Sequence, residues 1–462
     1  MDWLTILPPL VAIIVVLWRK EVILALFLAI FTSEILLIPE KSLGLPLYGF
    51  LNTLERITAV FTTDARLLVF SLLIGALLAF IRVSGGVTAM VEKLIGSGLA
   101  KGPRSTGILT MITGILIFVE SNLSVLASGI LARGLFDKFK MSRARLAYII
   151  DSTSAPICIL ILLNGWGAYV LGELDGHELG MSNVEVLWST IPLNFYALVT
   201  LAMVFYTVVT TKVYGPMKQS EKKLDVKISD QTDTQDILHE YPPTKARYMV
   251  VPLATMVFGM IGFMFWTGGG NIADGSGSKS VLYATALACL VAYIMMLSSG
   301  KFSHVKLVET GFSGMSELLP LVTILLFALA LGDSVELLGT GKFIAGMVGE
   351  YLPTIMIVPT LFLAGALISF STGTSWGTFA ILIPLGVPMI IPLGLPPALV
   401  LSAILGGGVF GDHCSPISDT TAVSAIASGC DLLEHVKTQL PYALVAGGIT
   451  FVLYVIASAV MI

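Results

Sequence analysis

The chain of 462 residues is 56% hydrophobic and only 12% charged, and its mean hydropathy is +0.91. These values lie outside the usual balance of soluble domains and predict a polytopic membrane protein. The net charge of −4 is too small to indicate a nucleic-acid partner. The apolar opening MDWLTILPPLVAIIVVLW lacks the charged and cleavable parts of a signal peptide, so we interpret it as a first span.

Ten segments are apolar over about the length that a helix needs to cross roughly 30 Å of hydrocarbon. In chain order they lie near 3–18, 22–38, 66–81, 146–171, 189–211, 248–267, 280–298, 317–332, 399–427 and 441–460. Two further apolar stretches, 106–132 and 354–391, are harder to assign. The basic residues around them decide how they enter the membrane.

Basic loops flank the first of these stretches on both sides. They carry Arg82, Lys93, Lys101 and Arg104 before it, and Arg133, Lys138, Lys140, Arg143 and Arg145 after it. A single crossing by 106–132 would put one of these loops outside, against the positive-inside rule. We therefore predict that 106–132 is a re-entrant hairpin, which enters and leaves the membrane on the cytoplasmic side.

If 354–391 is also a hairpin, entered from the outside, both termini lie outside. Of the 26 lysine and arginine residues, the ones left outside are then Lys41, Arg56, Arg66, Lys279 and Lys342. This low number agrees with the rule, and it favours a multi-pass protein of the cell inner membrane. The polar connection 212–247, which contains KQSEKKLDVKISDQTDTQD, is predicted to be a solvated, partly disordered cytoplasmic linker.

Each half, 1–211 and 248–462, then has five spans with a hairpin between its third and fourth. An odd number of spans makes the halves start on opposite faces, so the predicted fold is all-α with two inverted repeats. The motif DSTSAP opens the fourth span of the first half at Asp151, and DHCSP interrupts that of the second at Asp412. Pro156 and Pro416 each remove a backbone donor, so these helices should break near the membrane midplane.

Polar residues gather at the two hairpin tips, FVESNLS at 118–124 and SFSTGTSWGT at 369–378, and at the two breaks. Non-helical backbone at membrane depth must be buried in protein or line a wet cavity. Hydroxyl, amide and carbonyl oxygens there would suit a sodium-like ion. The candidate substrate-binding residues are Ser121, Asn122, Ser152, Thr153, Ser154, Thr372, Thr374, Ser375, His413, Ser415, Ser418 and Thr420.

Carboxylates inside the membrane are functional candidates, because a bare charge there costs several kcal/mol. Asp151, Asp412 and Asp419 are therefore predicted to bind a sodium ion or a proton, and competition between the two would itself be an antiport mechanism. Glu120 is either a further buried acid or an ion-pair partner. His413 either tunes the site or is hydrogen-bonded to the broken backbone. The cysteines have no paired spacing, and no cofactor is predicted beyond the transported ions.

Several motifs resemble the NhaC-type sodium/proton antiporter family of the ion transporter superfamily. They are GDHCSPISDTT at 411–421, SGCD at 428–431, HVKTQLPY at 435–442 and TGTSWGT at 372–378, with weaker matches at ESNLS and DSTSAP. The resemblance implies opposed hairpins, a scaffold domain, a transport domain, a homodimer and elevator-like secondary transport. It also implies that Asp151, Asp412 and Asp419 carry the ions.

Other functions compete with sodium/proton exchange. The main alternative is a sodium- or proton-coupled exchanger of an organic acid or amino acid. The absence of Lys and Arg from the hairpins and breaks speaks against an anion, although helix N-termini can also hold carboxylates. An intramembrane hydrolase that uses Asp412, His413 or Cys414 is disfavoured, because no second base or metal-ligand motif accompanies them.

Overall fold

The computed structural model describes residues 2–19, 21–38, 45–63, 65–96, 98, 100–118, 120–174, 177, 179–223, 244–271 and 275–462. Over these residues the protein consists of α-helices and short 3₁₀ segments, without strands. Most of the predicted linker, 224–243, lies outside the described residues. The part of the chain that the structure describes is therefore all-helical, as predicted.

The first half holds twelve of the described α-helices, and a thirteenth, α13, lies at the start of the predicted linker. They are α1 (Leu7–Arg19), α2 (Val22–Leu37), α3 (Leu45–Thr63), α4 (Ala65–Val83), α5 (Gly86–Gly96), α6 (Pro103–Leu116), α7 (Ser121–Lys138), α8 (Arg143–Ser152), α9 (Ala155–Leu160), α10 (Gly165–Glu173), α11 (Asn183–Thr190), α12 (Phe195–Thr210) and α13 (Gly215–Lys223).

The second half begins after the linker. Its helices are α14 (Arg247–Thr267), α15 (Gly277–Ser298), α16 (His304–Glu317), α17 (Leu319–Leu337), α18 (Thr340–Tyr351), α19 (Thr354–Thr372), α20 (Ser375–Gly386), α21 (Ile390–Leu393), α22 (Pro397–Cys414), α23 (Asp419–Ser428) and α24 (Leu432–Met461).

By length and composition, eight helices of the described chain could each cross a membrane, and the bent run α8–α9–α10 makes up to nine. The apolar helices α1, α2 and α4 are shorter. This is a multi-pass membrane protein. Helix α3 lies where no span was predicted, because polar residues interrupt its apolar pattern. One of them, Arg56, pairs with Glu34 of α2 at 2.8 Å.

Both predicted hairpins consist of two packed helices joined by a short connection. Helices α6 and α7 pack together, and the Ser124 hydroxyl donates across the turn to the Gly114 carbonyl at 2.9 Å. Helices α19 and α20 meet at Gly373, whose φ of +70° suits a residue without a side chain. Each arm of the second hairpin is long enough to span by itself. Re-entrance therefore stays a prediction.

Both predicted helix breaks are present. Helix α8 ends at Ser152, and Pro156 is the second residue of α9. Helix α22 ends at Cys414, and Pro416 lies in the gap before α23. The same backbone hydrogen bond occurs at each break: Ser154 N donates to the Asp151 carbonyl, and Ser415 N donates to the Asp412 carbonyl, each at 3.2 Å. Each aspartate thus occupies the last turn before its break.

The helices pack as two groups. The hairpin group contains α6–α9, α19, α20, α22 and α23, with α12 and α24 packed against them. The outer group contains α1–α4 and α14–α17. In this group, helices of one half pack against helices of the other: α4 packs against α15 and α16, and α17 packs against α2 and α3. The last span of each half, α12 and α24 respectively, thus contacts the hairpin group.

Helices α4 and α16 cross closely because two glycines face each other. A Cβ atom on Gly75 would lie far inside van der Waals contact with the Gly314 backbone carbonyl, and the reverse holds for Gly314. Backbone atoms cannot move aside as a flexible side chain can. This crossing, which joins the two halves of the outer group, therefore depends on the absence of side chains.

We predict that Gly75→Ala lowers the folded stability by about 1–3 kcal/mol, because the added methyl group separates the two backbones. The matched control is Gly262→Ala in α14, where an added Cβ meets no atom within 4 Å. Alanine favours a helix over glycine by about 1 kcal/mol, so the control should not be destabilised. Thermal unfolding of the purified protein in detergent measures both. Equal behaviour of the two variants would contradict the close crossing.

Candidate transport site

An open cavity of about 300 Å³ lies where the two hairpin tips meet the second helix break. Helices α4 and α10 and the junction of α16 with α17 complete its wall. The lining residues are Phe70, Ser71, Ile74, Glu120, Ser121, Asn122, Gly165, Trp166, Tyr169, Glu317, Leu318, Pro320, Leu321, Ile324, Leu325, Thr374, Ser375, Trp376, Asp419 and Thr420. The structure thus brings together residues that the sequence predicted from three separate motifs.

Helices α7, α10, α20 and α23 all begin at or beside this cavity, and a side chain caps each of them. Glu120 accepts from Asn122 N at 2.9 Å and from Leu123 N at 2.5 Å. Asn164, Thr374 and Ser418 cap the other three helices. These side chains satisfy amide groups that a helix leaves unpaired at its start. Glu120 is half-buried in this role.

Asp412 lies fully buried among hydroxyl groups behind the cavity wall. The Ser418 hydroxyl donates to Oδ1 at 2.5 Å, and the Ser375 hydroxyl to Oδ2 at 2.9 Å. Thr420 adds a longer contact of 3.5 Å to Oδ2. No Lys, Arg or His of the described chain forms an ion pair with this carboxylate. The second hairpin tip and the second break therefore supply one carboxylate and three hydroxyl oxygens at a single point.

Asp419 differs from Asp412 in its exposure, since it faces the open cavity. It is the first residue of α23, and its Oδ1 accepts from Thr420 N at 2.8 Å. Asn122 of the first hairpin tip lines the same cavity. Asp419 of the second break and the tip of the opposite hairpin thus face one cavity.

Asp151 lies in a separate buried network instead of at the cavity. Its Oδ2 accepts from Gln439 Nε2 at 2.5 Å and lies 3.4 Å from His435 Nε2. The same Gln439 nitrogen also donates to the His413 carbonyl at 3.1 Å, and the His413 ring bonds to Tyr196 Oη at 3.0 Å. The ring of His413 therefore has a tyrosine partner, which neither sequence interpretation included.

The remaining candidates mostly bond to nearby backbone. The hydroxyls of Thr153, Ser154, Thr372 and Ser415 donate to the carbonyls of Ile149, Asp151, Ile368 and Phe370, respectively. Ser152 lines a much smaller cavity beside the Asp151 network. In the described residues no three His, Cys, Asp or Glu side chains gather around one point, so the three predicted aspartates do not share one carboxylate cluster.

The sequence interpretation did not assign a site role to His435 or Gln439. They lie four residues apart, which places them on the same face of α24, and this spacing was a usable signal. Trp166, Trp376 and Tyr169 were also not assigned to a site, yet all three line the cavity. Their contribution became visible only when the two hairpin tips and α10 were placed together.

A many-helix membrane protein with polar groups converging on helix breaks and hairpin tips has the architecture of a secondary transporter. Comparison with known families agrees. A model described as "Na+/H+ antiporter family" matches residues 157–459, and the chain belongs to this family. The NhaC-type resemblance expected from the sequence is thereby confirmed. The family consists of antiporters, not enzymes.

Individual relatives cover different parts of the chain. An uncharacterized protein of Haemophilus influenzae is 30% identical over 98% of this chain and 90% of its own. The malate-2H(+)/Na(+)-lactate antiporter of Bacillus subtilis is 39% identical over 25% of this chain and 26% of its own. The Na(+)/H(+) antiporter NhaC of Alkalihalophilus pseudofirmus is 34% identical over 22% of each chain.

Among solved structures, the YdaH transporter of Alcanivorax borkumensis has a similar fold. The TM-score is 0.59, and the match covers 96% of this chain and 98% of the other. The sequence identity is 14%, so this likeness concerns the fold alone.

The Asp151 network yields a stability prediction. Gln439→Leu removes the amide that bonds to Asp151 and leaves a buried carboxylate with fewer partners, which should cost about 1–3 kcal/mol. Gln219→Leu, at an exposed position on α13, is the control and should change stability little. Chemical or thermal unfolding in detergent compares the two. If Gln439→Leu were as stable as the control, the network would not contribute to the fold.

Proposed function

We propose that the protein exchanges sodium ions for protons, with Asp412 as the central ion-binding carboxylate. The supporting observation is the shell around it, in which oxygens of Ser375, Ser418 and Thr420 lie within 3.5 Å of the carboxylate. Sodium prefers hard oxygen ligands of this kind. Membership of the antiporter family supports the same assignment.

The exchange follows from the chemistry of a buried carboxylate. Without a basic partner, the group must either take up a proton or hold a cation, because an isolated charge inside the membrane is costly. A proton and a sodium ion thus compete for Asp412, and binding of one releases the other. Asp419, at the cavity, offers a second carboxylate along the path from the cavity to Asp412.

Asp151 has a different role in this proposal. It lies at the first helix break, as Asp412 lies at the second, but it bonds to α24 through Gln439. Gln439 also bonds to the carbonyl of His413, the residue next to Asp412. We propose that this connection transmits the protonation state of one break to the other, so that Asp151 is needed for coupled transport without touching the cavity.

We also propose an inverted repeat and an elevator mechanism. The order of elements supports the repeat: each half contains a packed pair, an amphipathic helix, a span, a short helix, a hairpin, a broken helix and a last span. The first half additionally inserts α10 and α11.

The separation into a hairpin group and an outer group supports an elevator, in which the hairpin group moves across the membrane. The same proposal includes a homodimer that forms through the outer group. It also places both termini on the outer side of the membrane.

A second candidate function is exchange of an organic substrate together with the ion. The observation that favours it is the cavity, because about 300 Å³ is far more space than one sodium ion requires. One partial relative is named as a malate/lactate antiporter, which carries organic molecules. Flux of radiolabelled sodium into proteoliposomes, with and without candidate organic compounds, distinguishes the two functions.

We expect Asp412→Asn and Asp151→Asn to abolish sodium-driven proton movement while the protein still folds. The amide cannot exchange a proton for a cation, and its similar shape preserves the packing. The measurement is proton flux in reconstituted vesicles after a sodium pulse. Asp137→Asn, on the exposed end of α7, is the control and should transport normally. Wild-type flux in either buried variant would remove that aspartate from the mechanism.

The elevator proposal predicts how two cross-links behave. A disulfide between Ser121→Cys and Thr374→Cys joins the two tips and should form in every transport state. A disulfide between Ser121→Cys and Ser71→Cys joins a tip to α4 and should form in only some states, because the groups move relative to each other. All are made in a cysteine-free background, with Thr360→Cys, in the half of α19 away from the tip, as the non-reacting partner. If instead formation of the tip-to-tip disulfide depended on sodium while formation of the tip-to-α4 disulfide did not, local gating would replace the elevator.

A further inference from the structure

Aromatic side chains form one side of the cavity wall. The ring centroids of Trp166 and Trp376 lie 5.1 Å apart, and those of Tyr169 and Trp376 lie 5.3 Å apart. Phe70 of α4 lies in the same wall. A sodium ion held by Asp412 makes no use of these rings. Aromatic faces attract cations that carry apolar groups, and this attraction grows when water is excluded.

Acidic side chains also line the cavity. Glu120 and Asp419 both reach the cavity, and the lining residues include no lysine, arginine or histidine. Glu317 also lines it, but its charge is offset by Arg82 at 2.5 Å. The lining thus contains two carboxylates, Glu120 and Asp419, that form no ion pair with a lysine or arginine of the described chain.

The helix N-termini around the cavity do not reverse this preference. A free N-terminus would attract an anion, because the helix dipole is positive there. Here Glu120 already accepts from the first amides of α7, and Asp419 already accepts from Thr420 N at the start of α23. The protein's own carboxylates thus occupy the anion positions of α7 and α23, and the side chains of Asn164 and Thr374 cap α10 and α20. A carboxylate ligand would therefore meet like charges.

We propose that the cavity binds a small organic ammonium compound, with its cationic nitrogen near Glu120 and Asp419 and its apolar part against Trp166 and Trp376. This inference rests on the proposed secondary transport and specifies the organic substrate class of its second candidate function. The volume of about 300 Å³ fits a small amine with one ring. The inference departs from the organic-acid exchanger, which the charge of the wall disfavours.

The test uses three probes of matched shape: phenethylamine, phenethyl alcohol and 3-phenylpropionate. Binding to the purified full-length protein is measured by isothermal titration calorimetry at neutral pH. We expect phenethylamine to bind at least about tenfold more tightly than either other probe, because only the ammonium gains from both the carboxylates and the rings. Equal binding of all three, or tighter binding of the anion, would overturn the proposal.

Variants locate the site. Trp376→Ala should weaken phenethylamine binding about tenfold, whereas Trp376→Phe retains an aromatic face and should lose only about two- to threefold. Asp419→Asn should remove most of the preference for the amine over the alcohol. Trp266→Ala, at an exposed position on α14, is the control for loss of a tryptophan and should bind normally. Unchanged amine binding in both Trp376→Ala and Asp419→Asn would overturn the proposal, and the conservative Trp376→Phe variant excludes misfolding as the cause of a loss.

Sodium/proton exchange is measured on the same preparation without any amine present. This flux decides the proposed exchange, and the selectivity among the three probes decides the amine site. Failure to observe sodium/proton exchange would therefore not imply failure of the amine site, and the reverse also holds. A protein that exchanges sodium for protons but binds the three probes equally would contradict only the ammonium inference.

Discussion

Helices that begin or end inside a membrane protein must find partners for their unpaired backbone groups within the protein, because hydrocarbon offers none. Several features of this structure follow from that constraint. Glu120, Asn164, Thr374 and Ser418 cap helices α7, α10, α20 and α23. Polar side chains that would be costly elsewhere in the membrane therefore gather around one cavity. Two of these capping residues, Glu120 and Thr374, also line the cavity, and the other two directly precede the lining residues Gly165 and Asp419.

The packing of the chain follows from the same arrangement. Interior helix ends must be enclosed by other helices, so the hairpins and breaks pack into one group with α12 and α24 around them. Small residues permit this close approach: a Cβ on Gly411 of α22 would collide with the backbone of α19 at Ala366 and Phe370. Asp412 follows Gly411 directly. The glycine that brings two helices together thus also places the carboxylate beside Ser375 of the hairpin tip.

Much of this organisation could be predicted from local sequence. Pro156 and Pro416 indicated the helix breaks because proline cannot donate a backbone hydrogen bond, and the glycine and hydroxyl residues around Gly373 indicated a tip. The basic residues around 106–132 indicated a hairpin through their charge. Each of these signals lies within a short segment, and the physical reason for it does not depend on the rest of the chain.

Other features depend on contacts between distant segments. Asp151 and Asp412 occur in similar motifs, so they were expected at one ion site. Their surroundings differ because α24 places His435 and Gln439 beside Asp151, whereas Ser375 and Ser418 surround Asp412. Helix α3 was missed because polar residues interrupt its apolar pattern, and one of them, Arg56, finds its partner Glu34 on α2. The aromatic wall likewise requires α10 and α20 to be placed together, which no single segment specifies.

The central claim is that the hydroxyl shell of Asp412 is where sodium binds. The most direct measurement is a high-resolution structure of the protein in sodium and in potassium at equal ionic strength. The account predicts an ion between the Asp412 carboxylate and the oxygens of Ser375 and Ser418 in sodium, and its loss in potassium. An ion bound instead beside Asp151 and His435, or no difference around Asp412 between the two salts, would contradict it.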